Sequence, residues 1–194
     1  MNYVQKHIFA PLNLSRSYFG TTPYYLARDR SHGYDISGDS AGRGDVVTDN
    51  RAEFDPGITI PNSGWNAPVS DLATYVAFLT GAAADSATRS RYESVLSRAS
   101  LEEMWRPVIA TARDTHTGLS GARGLSFQVE TDSVRTYVGH TGTQAGYEGF
   151  VHFDAARRTG FVLVFNTTTD GDAVGRDAGR FDAMMRAAYG LLVK

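Results

Sequence analysis

Five consecutive residues, Phe161-Val162-Leu163-Val164-Phe165, are apolar at every position. A strand with one wet face alternates apolar with polar residues; an unbroken apolar run predicts cover on both faces. The preceding segments read as partners for it. Leu125 to Val129 alternates as a strand, Arg135 to His140 forms a second, and Tyr147 to Phe153 a third. Asp154 to Gly160 is a turn. Four strands joined by short connections predict an antiparallel meander.

Helical periodicity flanks these strands. Asn2 to Ile8 predicts a short amphipathic helix with Tyr3, Val4 and Ile8 on one side, ended by Pro11 because the residue before a proline avoids helix. Ser70 reads as the N-cap of LATYVAFL and Gly81 as its stop. A second helix is expected from Ser86 to Arg98, and a third from Ser100, where Ser-Leu-Glu-Glu fits a capping box. The closing helix, about 178–192, places Phe181, Met184, Met185, Ala188 and Leu191 on one stripe. From Thr21 to Trp65 periodicity is poor, and the stretch is too long for a simple loop. It predicts a surface excursion holding a strand or two. Helices segregated from an antiparallel sheet make the fold class α+β, an antiparallel sheet with flanking helices. The length of 194 residues favours one domain over two, 1–194.

The charge balance excludes some functions. Lys+Arg is 19 against Asp+Glu 21, a net charge of -2, so no basic field draws phosphates and nucleic acid is not an expected partner. The absence of cysteine rules out disulfides, thiolate catalysis and Cys-ligated zinc. The start MNYVQKHIF lacks the long apolar stretch of a secretory signal, and no apolar run is long enough to span a bilayer. The compartment stays open. Five histidines (His7, His32, His116, His140, His152) show no H-x-x-x-H pair, so no metal and no cofactor is expected.

Two segments carry candidate chemistry. Gly38-Asp-Ser-Ala-Gly42 matches G-x-S-x-G, but a nucleophile elbow needs an apolar strand before the serine and a helix after it. Neither is read here, and Ser40 is taken as a loop residue. The Arg43-Gly44-Asp45 tripeptide and the N-x-S/T matches at Asn13 and Asn166 are read as chance. The second segment is Gly139-His140-Thr141-Gly142-Thr143. On composition it is a strand end with a polar turn.

Its company points further. YVQKHIFAPLNLSRSYF, NSGWNAPVSDLATYVAFLTG, GLSFQVE, GHTGT and GYEGFVHFDAARRTGFVLVFN occur in this order. Together they resemble the serine β-lactamase and penicillin-binding-protein superfamily, especially class C enzymes, D,D-carboxypeptidases and related esterases. The resemblance implies that His140-Thr141-Gly142 is the family's third motif, usually K-T-G, lining a strand beside the cleft. It makes His140, Thr141 and Gly142 substrate-binding, with His140 holding a substrate carboxylate. It makes the Thr143 N–H one of two oxyanion donors, a catalytic role worth ~2.7–4 kcal/mol in the transition state. Histidine is a weaker cation than lysine at neutral pH, which leaves room for ester or peptide substrates besides β-lactams.

The family also needs a nucleophile in S-x-x-K and a relay in Y-x-N or S-x-N. The only lysines are Lys6 and Lys194, neither three residues after a serine, and no tyrosine or serine has asparagine two residues later. In the family both motifs precede the segment at which this chain starts. The resemblance therefore implies the C-terminal portion of such an enzyme, inactive alone, with the nucleophile absent. The family's first strands would pair beside 161–165. Without them that edge is open, and self-association or an N-terminal portion is the expected partner beside a small-molecule or peptide substrate. Two other readings stand: a non-catalytic binding or scaffold domain, and a self-contained hydrolase using Ser40 with His140 or His152.

Overall fold

A computed structural model describes residues 2–38, 45–50, 57–113, 119–144, 146–169 and 174–192. The chain opens with helix α1 (Asn2–Val4), which passes through a π-type turn (Gln5–Phe9) into α2 (Ala10–Leu12). Pro11 does not end the helix as expected. It sits in the last helical turn, and Asn13, left-handed at φ 58°, ends it one residue later. The excursion then holds β1 (Tyr18–Phe19), β2 (Gly33–Gly38), β3 (Asp45–Asn50) and β4 (Trp65–Asn66). Helices α3 (Val69–Thr80), α4 (Ser86–Val95) and α5 (Arg98–Met104) follow. Strands β5 (Ile109–Ala110), β6 (Ser120–Arg123), β7 (Gln128–Thr131), β8 (Thr136–Gln144), β9 (Tyr147–Asp154), β10 (Thr159–Phe165) and β11 (Thr167–Thr169) precede α6 (Val174–Leu192).

The fold is α+β. The expected four-stranded meander is part of a six-stranded antiparallel sheet in the order β10-β9-β8-β7-β6-β5. A second sheet, β11-β2-β3, pairs Thr167–Thr169 parallel to Tyr34–Ile36. Leu125 and Ser126 are not strand but turn. Ser126 takes a left-handed φ of 62° between β6 and β7, so β7 starts only at Gln128.

Each face of the main sheet has its own core. On one face Val129, Val138 and Phe153 pack with Val76 and Leu79 of α3, Leu12, and Trp105. Gly160 lets α3 come close: a Cβ there would lie 2.5 Å from Val76 Cγ1. On the other face Tyr137 and Phe150 pack with Met185, Tyr189 and Leu192 of α6. The expected stripe on α6 is therefore out of phase. Met184 and Leu191 face outward, because the buried positions are 185, 188, 189 and 192; the side chain of Phe181 lies outside the described residues. Full cover of 161–165 is also corrected. Phe161, Val162, Leu163 and Phe165 are half-buried, and Val164 is 44% exposed because α3 covers that face only as far as Val162.

Helix ends depart from expectation by a few residues. Pro68 occupies the N-cap position of α3, which moves Ser70 inside the helix; Gly81 stops it at φ 71°. Asp85 caps α4, and the Thr88 N–H it accepts holds its carboxyl below the usual carboxylate range. The predicted second helix breaks at Leu96, which is extended, and Ser97 rather than Ser100 caps α5 by accepting the Ser100 N–H. Arg98 at the start of α5 donates to the Leu79 carbonyl at 2.5 Å and lies 4.9 Å over the Trp105 ring, so one cation ties α3 to α5.

Asp71 joins the first helices to α3. Its carboxylate, buried, accepts from the Arg16 N–H at 3.1 Å and the Ser17 hydroxyl at 2.9 Å. Removing it strands the buried Ser17 hydroxyl and takes the acceptor from the part-buried Arg16 N–H. We expect Asp71→Ala to lower the free energy of unfolding by about 3 kcal/mol in urea denaturation; a change within experimental error would show that Asp71 does not tie these elements together.

Candidate active site

GHTGT is neither turn nor strand end. It lies inside β8, whose predicted limit at His140 is passed by four residues. The turn comes later, at Gly146; Ala145 lies outside the described residues. Gly146 takes φ 79°, and a Cβ on it would stand 2.7 Å from Gly33 C and Tyr34 N. The hairpin tip therefore presses on β2. The Tyr34 N–H reaches the Gly146 and Asn166 carbonyls at 3.3 and 2.9 Å, and the Tyr147 hydroxyl donates to the Ser31 carbonyl. The excursion is thus clamped beside the end of β8.

The pairing of β8 is unequal. β9 accompanies it from Val138 to Gln144, while β7 accompanies it only from Thr136 to Gly139, opposite Gln128. β7 stops there because Gly124 to Phe127 turn the chain back, with the Gly124 N–H bonded to the Phe127 carbonyl at 3.0 Å. His140 to Gln144 consequently overhang β7. In an antiparallel ladder successive residues point their N–H and C=O to opposite neighbours. A two-residue connection makes Gln144 and Tyr147 the closing hydrogen-bonded pair. Counting back, Gly142 and His140 also turn to β9, and Thr141 and Thr143 turn to the side that β7 has left.

Side chains alternate likewise. Val138, His140 and Gly142 share the α3 face; Tyr137, Gly139, Thr141 and Thr143 share the α6 face. His140 is exposed, with its Nδ1 2.5 Å from the Thr141 carbonyl oxygen. A carbonyl can only accept, so Nδ1 carries hydrogen and Nε2 is left facing outward. Gln128 Nε2 donates to Thr141 Oγ1 at 3.3 Å and steadies the overhang from the end of β7.

The two glycines differ. A Cβ at Gly139 would lie 2.2 Å from both His152 Cδ2 and the Val151 carbonyl oxygen, so the fold itself demands glycine there. A Cβ at Gly142, or at its cross-strand partner Gly149, would meet nothing within 4 Å, and neither residue has a positive φ. No internal packing asks for these glycines. They leave bare backbone beside His140, where a bound group can lie close.

The other candidates fare differently. Ser40 lies outside the described residues. Among the described residues β2, which alternates polar with apolar positions, precedes it and β3 follows. His152 is 2% exposed on the face opposite to His140, and its Nδ1 bonds the Tyr189 hydroxyl, so the two histidines do not meet in one site. Among the described residues no group of three or more His, Asp or Glu is arranged to hold a metal. Sequence reading missed Gln128, Glu130 and Tyr189; a polar residue beside a core position in FQVET was the available signal.

Residues 2–184 match the family model described as Beta-lactamase. Solved structures with the same fold include a D-alanine carboxypeptidase from Burkholderia cenocepacia (15% identity, 97% of this chain and 53% of that one, TM-score 0.65). An octameric penicillin-binding protein homologue from Pyrococcus abyssi matches at 24% identity over 86% of this chain and 33% of that one, TM-score 0.64. A D-stereospecific amidohydrolase from Streptomyces matches at 19% identity over 93% and 47%, TM-score 0.59. The chain thus spans between a third and about half of these proteins. No curated protein matches it in sequence.

The contrast between the glycines is measurable. Gly139→Ala should lose about 3 kcal/mol of stability through overpacking, whereas Gly142→Ala should stay within ~0.5 kcal/mol of the parent. Equal losses in chemical denaturation would show that both glycines serve packing.

Proposed function

Because the chain belongs to the Beta-lactamase family, we propose that it builds one wall of a serine acyl hydrolase site for a β-lactam, a D-Ala-D-Ala peptide or an ester. The observation that carries this reading is the overhang of His140–Gln144 past the end of β7. An extended acyl-amide chain can pair with that open edge as an added strand. The Thr143 N–H then faces the position where charge develops on the attacked carbonyl oxygen and serves as one oxyanion donor. Thr141 and Gly142 border the bound chain, and the outward Nε2 of His140 meets a carboxylate of the substrate. The reaction is attack on the carbonyl carbon by a serine hydroxyl, loss of the amine or alcohol, and hydrolysis of the acyl-enzyme by water. That serine would come from an S-x-x-K segment, which does not occur in these 194 residues.

A second reading, a binding domain without turnover, is favoured by one observation: neither S-x-x-K nor Y-x-N occurs in the chain. Both readings place ligand on the β8 edge, and turnover by the assembled protein separates them.

Three measurements follow. The chain alone should not hydrolyse nitrocefin or p-nitrophenyl esters above buffer; turnover that disappears in Ser40→Ala would overturn the assignment. An N-acyl-D-Ala-D-Ala peptide should shift the amide resonances of Thr141 and Thr143 before any others; shifts confined elsewhere would remove the site from β8. Among the described residues strand β10 pairs only with β9, which leaves an apolar edge for a second copy or a preceding portion of the polypeptide. Light scattering should therefore show concentration-dependent association of the chain that Val164→Lys weakens, and a monodisperse monomer at all concentrations would count against it.

A further inference from the structure

Beneath the candidate site, on the α6 face, three buried polar residues from three elements meet. Glu130 of β7 is 4% exposed, His152 of β9 2% and Tyr189 of α6 7%. The Tyr189 hydroxyl donates to Glu130 Oε2 at 3.0 Å and also bonds His152 Nδ1. A hydroxyl has one hydrogen. Since it goes to the carboxylate, His152 must donate from Nδ1, and its tautomer is set. The order is His152 to Tyr189 to Glu130. Tyr189 also stands edge-on to Tyr137 and to Phe161, at 4.7 and 5.4 Å between ring centroids, which fixes its own ring.

The His152 ring fills the space that a side chain at position 139 would take. Across the sheet the register runs Gln128, Gly139, His152, Phe161. Gly139 is the last residue of β8 with β7 beside it, so the ring lies under the point where the site strand leaves its neighbour.

We propose that His152, oriented by Tyr189 and Glu130, is the positioning residue of the site strand: it sets the path of β8 at Gly139 and hence where the Thr141 and Thr143 backbone edge lies. The inference deepens the reading of that edge as the substrate-binding wall. Its coupling is one-directional in space. α6 and β7 hold the ring, the ring holds the Gly139 backbone, and the overhang continues from there.

The test is nuclear magnetic resonance on the full 194-residue chain without any ligand, so its result is separate from whether the edge binds substrate. In the parent protein the His152 ring should carry hydrogen on Nδ1. Tyr189→Phe should shift the amides of Gly139, His140 and Thr141 and speed the exchange of the paired Gly139 and His140 amides at least tenfold relative to the β9–β10 amides. Met185→Ala, which cuts the same helix-sheet core but removes no hydrogen-bonding group of the relay, should lower the melting temperature yet leave the 139–141 pattern in place. Glu130→Gln, which keeps an acceptor for the hydroxyl, should retain that pattern and stands in if Tyr189→Phe does not fold. An Nδ1 without hydrogen in the parent, equal effects of Tyr189→Phe and Met185→Ala, or a Glu130→Gln variant with the 139–141 pattern lost would each overturn the positioning role.

Discussion

Two neighbouring strands of unequal length govern this molecule. β8 runs nine residues and β7 four, and the difference is concentrated at one end. An interior strand of a sheet spends its backbone groups on both neighbours. Here the turn at Gly124–Phe127 withdraws one neighbour early, and a stretch of interior strand becomes an edge. Such an edge invites pairing, which is a hazard in most proteins and the working surface of a protein that binds extended ligands. The clamping of the excursion at Gly146, the Gln128 bond to Thr141 and the His152 ring under Gly139 all act around that withdrawal.

Much of the scaffold was legible because local rules and tertiary structure agree. Short strand-like runs between polar turns in 125–165 located the strands of the meander, and Gly81 ended α3 as a left-handed cap should. Order of segments, more than any single motif, carried the family, and the match over residues 2–184 agrees with it. Where expectation failed, a competing local interaction had won. Ser97 outcompeted Ser100 as a cap because Leu96 is already extended. On α6 the burial phase is set by what the sheet presents, and a tyrosine reads as surface until its hydroxyl finds a buried acceptor.

The candidate site could be proposed from the sequence by its residues but not by its form. His140 through Thr143 could be named from sequence, and the turn nearby could not be told from strand, since Gly and Thr suit both. The overhang depends on where a different strand ends, which no window around GHTGT contains. The buried relay was invisible for a similar reason. Glu130, His152 and Tyr189 are 22 or more positions apart in sequence, and each looks ordinary in its own neighbourhood. Only the pairing register brings them into line with Gly139.

The parallel pairing of β11 with β2 carries a consequence for the order of events during synthesis. Thr168 Oγ1 meets Asp35 Oδ1 at 2.6 Å across 133 positions of chain. Closing so long a loop comes late, after local hairpins such as β8–β9 have formed. On the ribosome, β2 and β3 emerge early and wait for almost the whole chain before β11 arrives. The β2–β11 pairing beside the open edge is therefore completed late, after the β8–β9 hairpin that carries that edge.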